Sequence, residues 1–187
     1  MPTSEYMNKI VCGDSYKLIK NLDDKSVDLV IIDPPYDIYA GGSGGCFGKE
    51  NRTYHGEIKP ISNGVTNEIL HELVRVMKKI NIYIWCNKEQ LRQYIDFFED
   101  IGAKTDLLTW HKTNPIPTCC NKYLSDTEYL LFFKEKGVPL YGTYETKKKF
   151  YITDTNKMDK DKFTHPTIKP VDIIENLIIN SSKVGGG

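Results

Sequence analysis

VDLVIIDPPYDIYAGG, residues 27–42, carries the fold in its first half and a chemical question in its second. The opening residues form a nearly unbroken apolar run rich in β-branched side chains, the pattern of a buried strand in a parallel sheet. The run ends in an acid, two prolines and a tyrosine. Consecutive prolines remove two backbone donors and hold φ near one value, so Asp33-Pro34-Pro35-Tyr36 is a stiff turn at a strand tip. Pro34 has no N–H, but its carbonyl and the Asp33 carboxylate can both point outward as acceptors. Two fixed acceptors suit a planar amino group, and Tyr36 offers a flat face to an aromatic base. The exocyclic amine of adenine or cytosine has that shape. Taken alone, four residues are read equally well as a rigid strand-to-loop turn.

Outward from this stretch, apolar runs of strand length alternate with segments of helical spacing. NKIVCGD (8–14) reads as a strand and SYKLIKNLDD (15–24) as a helix with Ser15 as N-cap. TNEILHELVRVMKK (66–79), KEQLRQYIDFFEDIG (88–102) and VDIIENLIINSS (171–182) read as helices. INIYIWCN (80–87), AKTDLLTWHK (103–112) and TEYLLFFKEKG (127–137) read as strands. Residues 37–65 are a long glycine-rich stretch without periodicity, and 138–163 read as an inserted polar hairpin region. The alternation predicts one α/β domain over 1–187, a doubly wound, mostly parallel sheet. In such sheets ligands bind at the carboxyl ends of strands, where Asp14, DPPY, WCN and WHKTNP all fall.

The composition, 40% hydrophobic and 27% charged, is that of a soluble globular chain, and no apolar run is long enough to span a bilayer. The 25 basic residues match the 25 acidic ones, which argues against a bulk electrostatic nucleic-acid binder but leaves room for a local basic face. The N-terminus has no export pattern. Five cysteines, Cys12, Cys46, Cys86, Cys119 and Cys120, show no CxxC spacing, so reduced thiols, no metal and a cytoplasmic location are expected. The run TKKKF (146–150) is either a solvated lysine face or a phosphate contact. Trp85 and Trp110, at strand ends, read first as core-edge aromatics.

Three segments occur in order: NKIVCGDSYKLIKNLDDKSVDLVIIDPPY, LTWHKTNPIPTCCNKYLSDTEYLLFFKEKG and HPTIKPVDIIENLIINSS. Together they strongly resemble the permuted amino-methylating DNA methyltransferases, in which the catalytic half precedes the cofactor half. The resemblance implies the Rossmann-like methyltransferase fold, S-adenosylmethionine as cofactor and DNA, with its target base flipped out, as substrate. By position it implies that Asp33, Pro34, Pro35 and Tyr36 hold and stack the base. It implies that Asp14 lies near the cofactor's adenine, and that Asp33, His165, Thr167 and Lys169 line the cofactor, with a cation suited to its carboxylate. Asp14 is otherwise read as a turn residue or helix cap. Aspartate as the first motif letter resembles the adenine-N6 branch more than the cytosine-N4 branch. The stretches 37–65 and 138–163 become candidate target-recognition segments.

The family pattern continues past the last helix into a strand, a glycine-rich turn and a further strand, whereas this sequence reads SSKVGGG at 181–187. The expectation is therefore a methyltransferase catalytic domain truncated before the glycine-rich cofactor motif. It comes with a homodimer or a second chain that covers the open edge. A DNA-binding remnant without catalysis, or one half of a split enzyme, is the alternative reading.

Overall fold

The computed structural model describes residues 6–36, 64–117, 121, 123–155 and 168–183. The helices are α1 (Ser15–Leu18, continued by a 3-10 turn over Ile19–Asn21), α2 (Asn67–Val76), α3 (Leu91–Asp100) and α4 (Val171–Ser181). The strands are β1 (Val30–Ile32), β2 (Asn81–Cys86), β3 (Lys104–Lys112), β4 (Thr127–Lys134) and β5 (Phe150–Thr153). They form one sheet in the order β1-β2-β4-β3-β5. β1 runs parallel to β2, β4 is antiparallel to both β2 and β3, and β5 is parallel to β3. Four strands therefore point the same way, with β4 reversed among them.

Helices lie on both faces, as the alternation predicts. On one face α2 supplies Ile69, Leu70, Leu73 and Val76, and α3 supplies Tyr94 and Phe98, over Ile82, Ile84, Leu131 and Phe133. Phe98 stacks on Phe133 with ring centroids 4.3 Å apart. On the other face α4 buries Ile173 and Leu177 against Tyr83, Trp85, Leu108, Trp110, Leu130 and Phe132. The central strand β2 is buried at every position, so it reads as a continuous apolar run. Asn81 ties the base of α4 to the lead-in of β1: its Nδ2 donates to Asp28 O at 2.8 Å and to Ser181 O at 3.0 Å.

Three sequence expectations are corrected. NKIVCGD forms no strand: Ile10 is 104% and Val11 46% exposed. A strand needs a ladder partner, and among the described residues only β2 pairs with β1, leaving its other edge free. The helix cap is Asp14, not Ser15, with Asp14 Oδ1 accepting from Tyr16 N at 3.0 Å. In the described part of the 138–163 stretch, Phe150–Thr153 is not one arm of an inserted hairpin but a strand of the main sheet beside β3. There Thr153 Oγ1 takes the Trp110 indole N–H at 2.8 Å. Residues 37–63 and 156–163 of the two candidate recognition segments lie outside the described residues.

Candidate active site

The DPPY turn leaves the carboxyl end of β1, and four other segments converge on it. β2 ends at Cys86, β3 brings Lys112, β4 brings Glu128, and Lys169 arrives two residues before α4. Lys169 Nζ lies 3.1 Å from Asp33 Oδ2, 3.0 Å from Glu128 Oε2 and 3.1 Å from Tyr36 Oη. An ammonium has three N–H donors, so these three acceptors use them all. Tyr36 in turn donates its hydroxyl proton to Glu128 Oε2 at 3.0 Å. Glu128 Oε1 receives Lys112 at 2.6 Å. The result is a row of alternating charge, Lys112, Glu128, Lys169, Asp33, drawn from four places in the chain.

The core beneath supplies its walls. Lys169 Nζ sits 5.1 Å from the centroid of Trp85 and 5.1 Å from that of Tyr36, and Lys112 Nζ sits 5.2 Å from that of Trp110. The two indoles meet edge to face at 6.1 Å and are 1% and 2% exposed. As expected, they are core residues, and their π faces each seat one cation. Opposite, Gln90 fixes the turn's backbone: its Nε2 donates to Pro35 O at 3.0 Å and to Tyr94 Oη at 3.1 Å. With the Pro35 carbonyl turned inward to Gln90, the Asp33 carboxylate is the acceptor that stays open, its side chain keeping 36% of its surface exposed.

The electrostatics follow from burial. Desolvation raises the Asp33 carboxyl above its ordinary range, and Lys169 opposes it without fully offsetting it. Burial also works to raise Glu128, but Lys169 and Lys112 together outweigh it, and its pKa falls below the ordinary range. The Tyr36 hydroxyl is pushed up by desolvation and by its two carboxylate neighbours, so it stays a donor. Burial pushes the Cys86 thiol up to about 12, which leaves it an inert, protonated neighbour.

The sequence-derived residues divide into three groups. Asp33, Pro34, Pro35, Tyr36 and Lys169 are brought together. The resemblance set Lys169 beside a cofactor carboxylate, whereas in this structure its N–H groups point into the DPPY cluster. Asp14 lies apart at the start of α1, its side chain 51% exposed, within 3.7 Å of Lys17. Arg75 clamps that segment to α2, donating to Ile19 O at 3.0 Å and Leu22 O at 2.9 Å. His165 and Thr167 lie outside the described residues. Sequence reasoning missed Glu128, Lys112 and Gln90. An acid in TEYLLFF, a strand otherwise apolar up to its terminal lysine, was the available signal for Glu128, since a buried carboxylate needs a partner. Among the described residues no His/Cys/Asp/Glu group could hold a metal, and no helix is long and apolar enough to cross a membrane.

Residues 27–186 match the DNA methylase family of N6/N4 methyltransferases. The chain belongs to that family. This DNA methylase is 30% identical over 194 residues to the type II methyltransferase M2.LlaDCHI of Lactococcus lactis subsp. cremoris, covering 93% of its own length and 72% of that protein's. It is 28% identical over 207 residues to the type II methyltransferase M2.DpnII of Streptococcus pneumoniae, with 98% and 77% covered. Among solved structures it is similar to an M1.HpyAVI–SAM complex (TM-score 0.63, 22% identity, 98% and 78% covered). It is also similar to the cytosine-N4-specific PvuII DNA methyltransferase (TM-score 0.64, 12% identity, 91% and 69% covered). Those two likenesses are of fold, and they agree with a doubly wound methylase sheet.

Proposed function

We propose that this DNA methylase methylates the exocyclic N6 amine of adenine in DNA, using S-adenosylmethionine. The observation that carries the reading is the tip of β1. There the partly open Asp33 carboxylate stands beside an anchored tyrosine, at the sheet end where ligands of such folds bind. S-adenosylmethionine, when bound, supplies a methyl group on a sulfonium. The Asp33 carboxylate and the Pro34 carbonyl accept the two amine hydrogens and orient the nitrogen lone pair away from the ring. The Tyr36 ring receives the base face, held in place through its hydroxyl. Asp33 then takes the proton that the methylated nitrogen sheds. Lys169, 3.1 Å from its Oδ2, favours the ionised form of Asp33 against the burial that raises its pKa.

The described residues fit the cofactor in their chemistry. The half-exposed Asp14 carboxylate has acceptor capacity beyond the Tyr16 amide, and the exposed Ile10 and Val11 before it offer apolar surface to a ring. His165 and Thr167 are proposed to complete that side. Of the TKKKF run, Lys148 pairs with Glu145 and Lys149 with Asp106, which favours its reading as a solvated face. The 37–65 stretch is the stronger candidate for target recognition.

The test is Asp33→Ala. It should remain folded and lose methyl transfer to DNA, and full activity in that variant would refute the mechanism. Nucleoside analysis of methylated DNA separates N6-methyladenine from N4-methylcytosine, the second reading, which the N6/N4 family match leaves open. A third reading, a chain that binds DNA but needs a second polypeptide for its cofactor, draws on the free β1 edge and the exposed Ile10. DNA binding without S-adenosylmethionine binding would establish it.

A further inference from the structure

Glu128 is paired on both of its oxygens within the cluster. Its two oxygens meet Lys112 at 2.6 Å, Lys169 at 3.0 Å and the Tyr36 hydroxyl at 3.0 Å, and the side chain is 18% exposed. It stands opposite Trp110 in the β3–β4 register, so the sheet itself fixes where its carboxylate lies. A carboxylate in such a place is costly unless it is paired on both oxygens, as here. Its contacts run to the two groups on which the turn's chemistry depends. One is the lysine that touches Asp33, and the other is the tyrosine ring.

We propose that Glu128 is a positioning residue: by fixing the Lys169 ammonium against Asp33 and holding the Tyr36 hydroxyl, it sets both the amine-accepting carboxylate and the base-accepting ring. The inference rests on the reading of Asp33 and Tyr36 given above. Glu128 touches no substrate and acts through its two neighbours. The groups that face Asp33 are Lys169 from the approach to α4, Glu128 from β4 and Tyr36 from its own turn. Lys112 of β3 faces Glu128, and the protonated Cys86 of β2 faces Tyr36.

Two variants separate charge from anchoring. Glu128→Gln keeps an acceptor for the Tyr36 hydroxyl but removes the charge, while Glu128→Ala removes both. Asp33 should titrate at lower pH in Glu128→Gln than in wild type by carbon-13 NMR, because an oxygen remains to hold the Lys169 ammonium and only the neighbouring negative charge is gone. The acid limb of kcat should move the same way, with KM for DNA unchanged. Glu128→Ala should instead make Asp33 titrate at higher pH, because that ammonium is no longer held against it. In Glu128→Ala the KM for DNA should rise about tenfold, the ratio for one lost charge-assisted hydrogen bond. An Asp33 titration that moves down in folded Glu128→Ala as it does in Glu128→Gln overturns the proposal, because it shows a loss of charge and no loss of position. So does an unchanged KM in Glu128→Ala that urea unfolding shows to be native. If wild type transfers no methyl group, the proposed function falls, and the Asp33 titration alone then decides the role of Glu128.

Discussion

Replacing Lys169 by methionine tests the charge row most directly. The lysine side chain is 11% exposed and is shared by two carboxylates at 3.1 and 3.0 Å. Removing one partner of a buried ion pair costs about 3–5 kcal/mol, because the remaining charge is left uncompensated. Two features place this case at the low end. Asp33 keeps 36% of its side chain in solvent, which screens its share, and Glu128 keeps Lys112. Methionine preserves the stem's packing on Trp85 and Tyr36. The expected loss is therefore about 3 kcal/mol at neutral pH.

The sign with pH follows from the two carboxyls. Glu128 is lowered in the fold, so it contributes stability above its ordinary 4.5 that disappears as pH falls through its folded value. Asp33 is raised, so its contribution is complete below its ordinary 3.8 and is lost as pH rises through its folded value. Without Lys169 both carboxyls rise, and the cost is concentrated where both are ionised. Urea unfolding should show the full loss at pH 7 and a smaller loss near pH 4. An equal loss at both values would refute the reasoning, because it would assign the effect to packing rather than charge.

Gln90→Leu takes from the Pro35 carbonyl its amide donor, in a site where Gln90 is only 2% exposed, at a cost of about 1–3 kcal/mol in urea unfolding. In the same variant kcat for methyl transfer should fall while DNA affinity holds, since the turn loses its orientation and not its aromatic face. Phe98→Ala empties a fully buried ring site stacked on Phe133 and should cost about 4 kcal/mol, read from the urea midpoint. A loss under about 2 kcal/mol would mean that α3 collapses onto the sheet without it.

The periodic elements were legible because each buries a continuous or one-sided apolar surface, as β2 and α3 do. β5 was not: FYIT is short and follows three lysines, so its place beside β3 depends on partners distant in sequence. Ile10-Val11 failed for the converse reason. Its β-branched residues have strand propensity, but propensity is expressed only against a neighbouring strand. At the site, DPPY and Lys169 were legible as motifs. The clamp was not, because Gln90 and Lys112 are polar residues of ordinary type whose roles arise from contacts 55 positions (to Pro35) and 16 positions (to Glu128) away.

The charge row itself argues for a role beyond stability. Apolar residues of similar volume would fill the space over Trp85 and Trp110 at no loss, and often with a gain, of folding free energy. What apolar residues cannot provide is a carboxylate in a partly dry place, with its position fixed by groups anchored on four different elements. Preorganised acceptors of that kind act on a ligand without having to reorganise when it arrives. The indoles reconcile the two demands by seating both cations on π faces at 5.1 and 5.2 Å, where charge is tolerated with little water. The sheet core thus sets the distances of the site. A change at Trp85 or Trp110 should then disturb Asp33 and Tyr36 even though neither indole need touch a substrate.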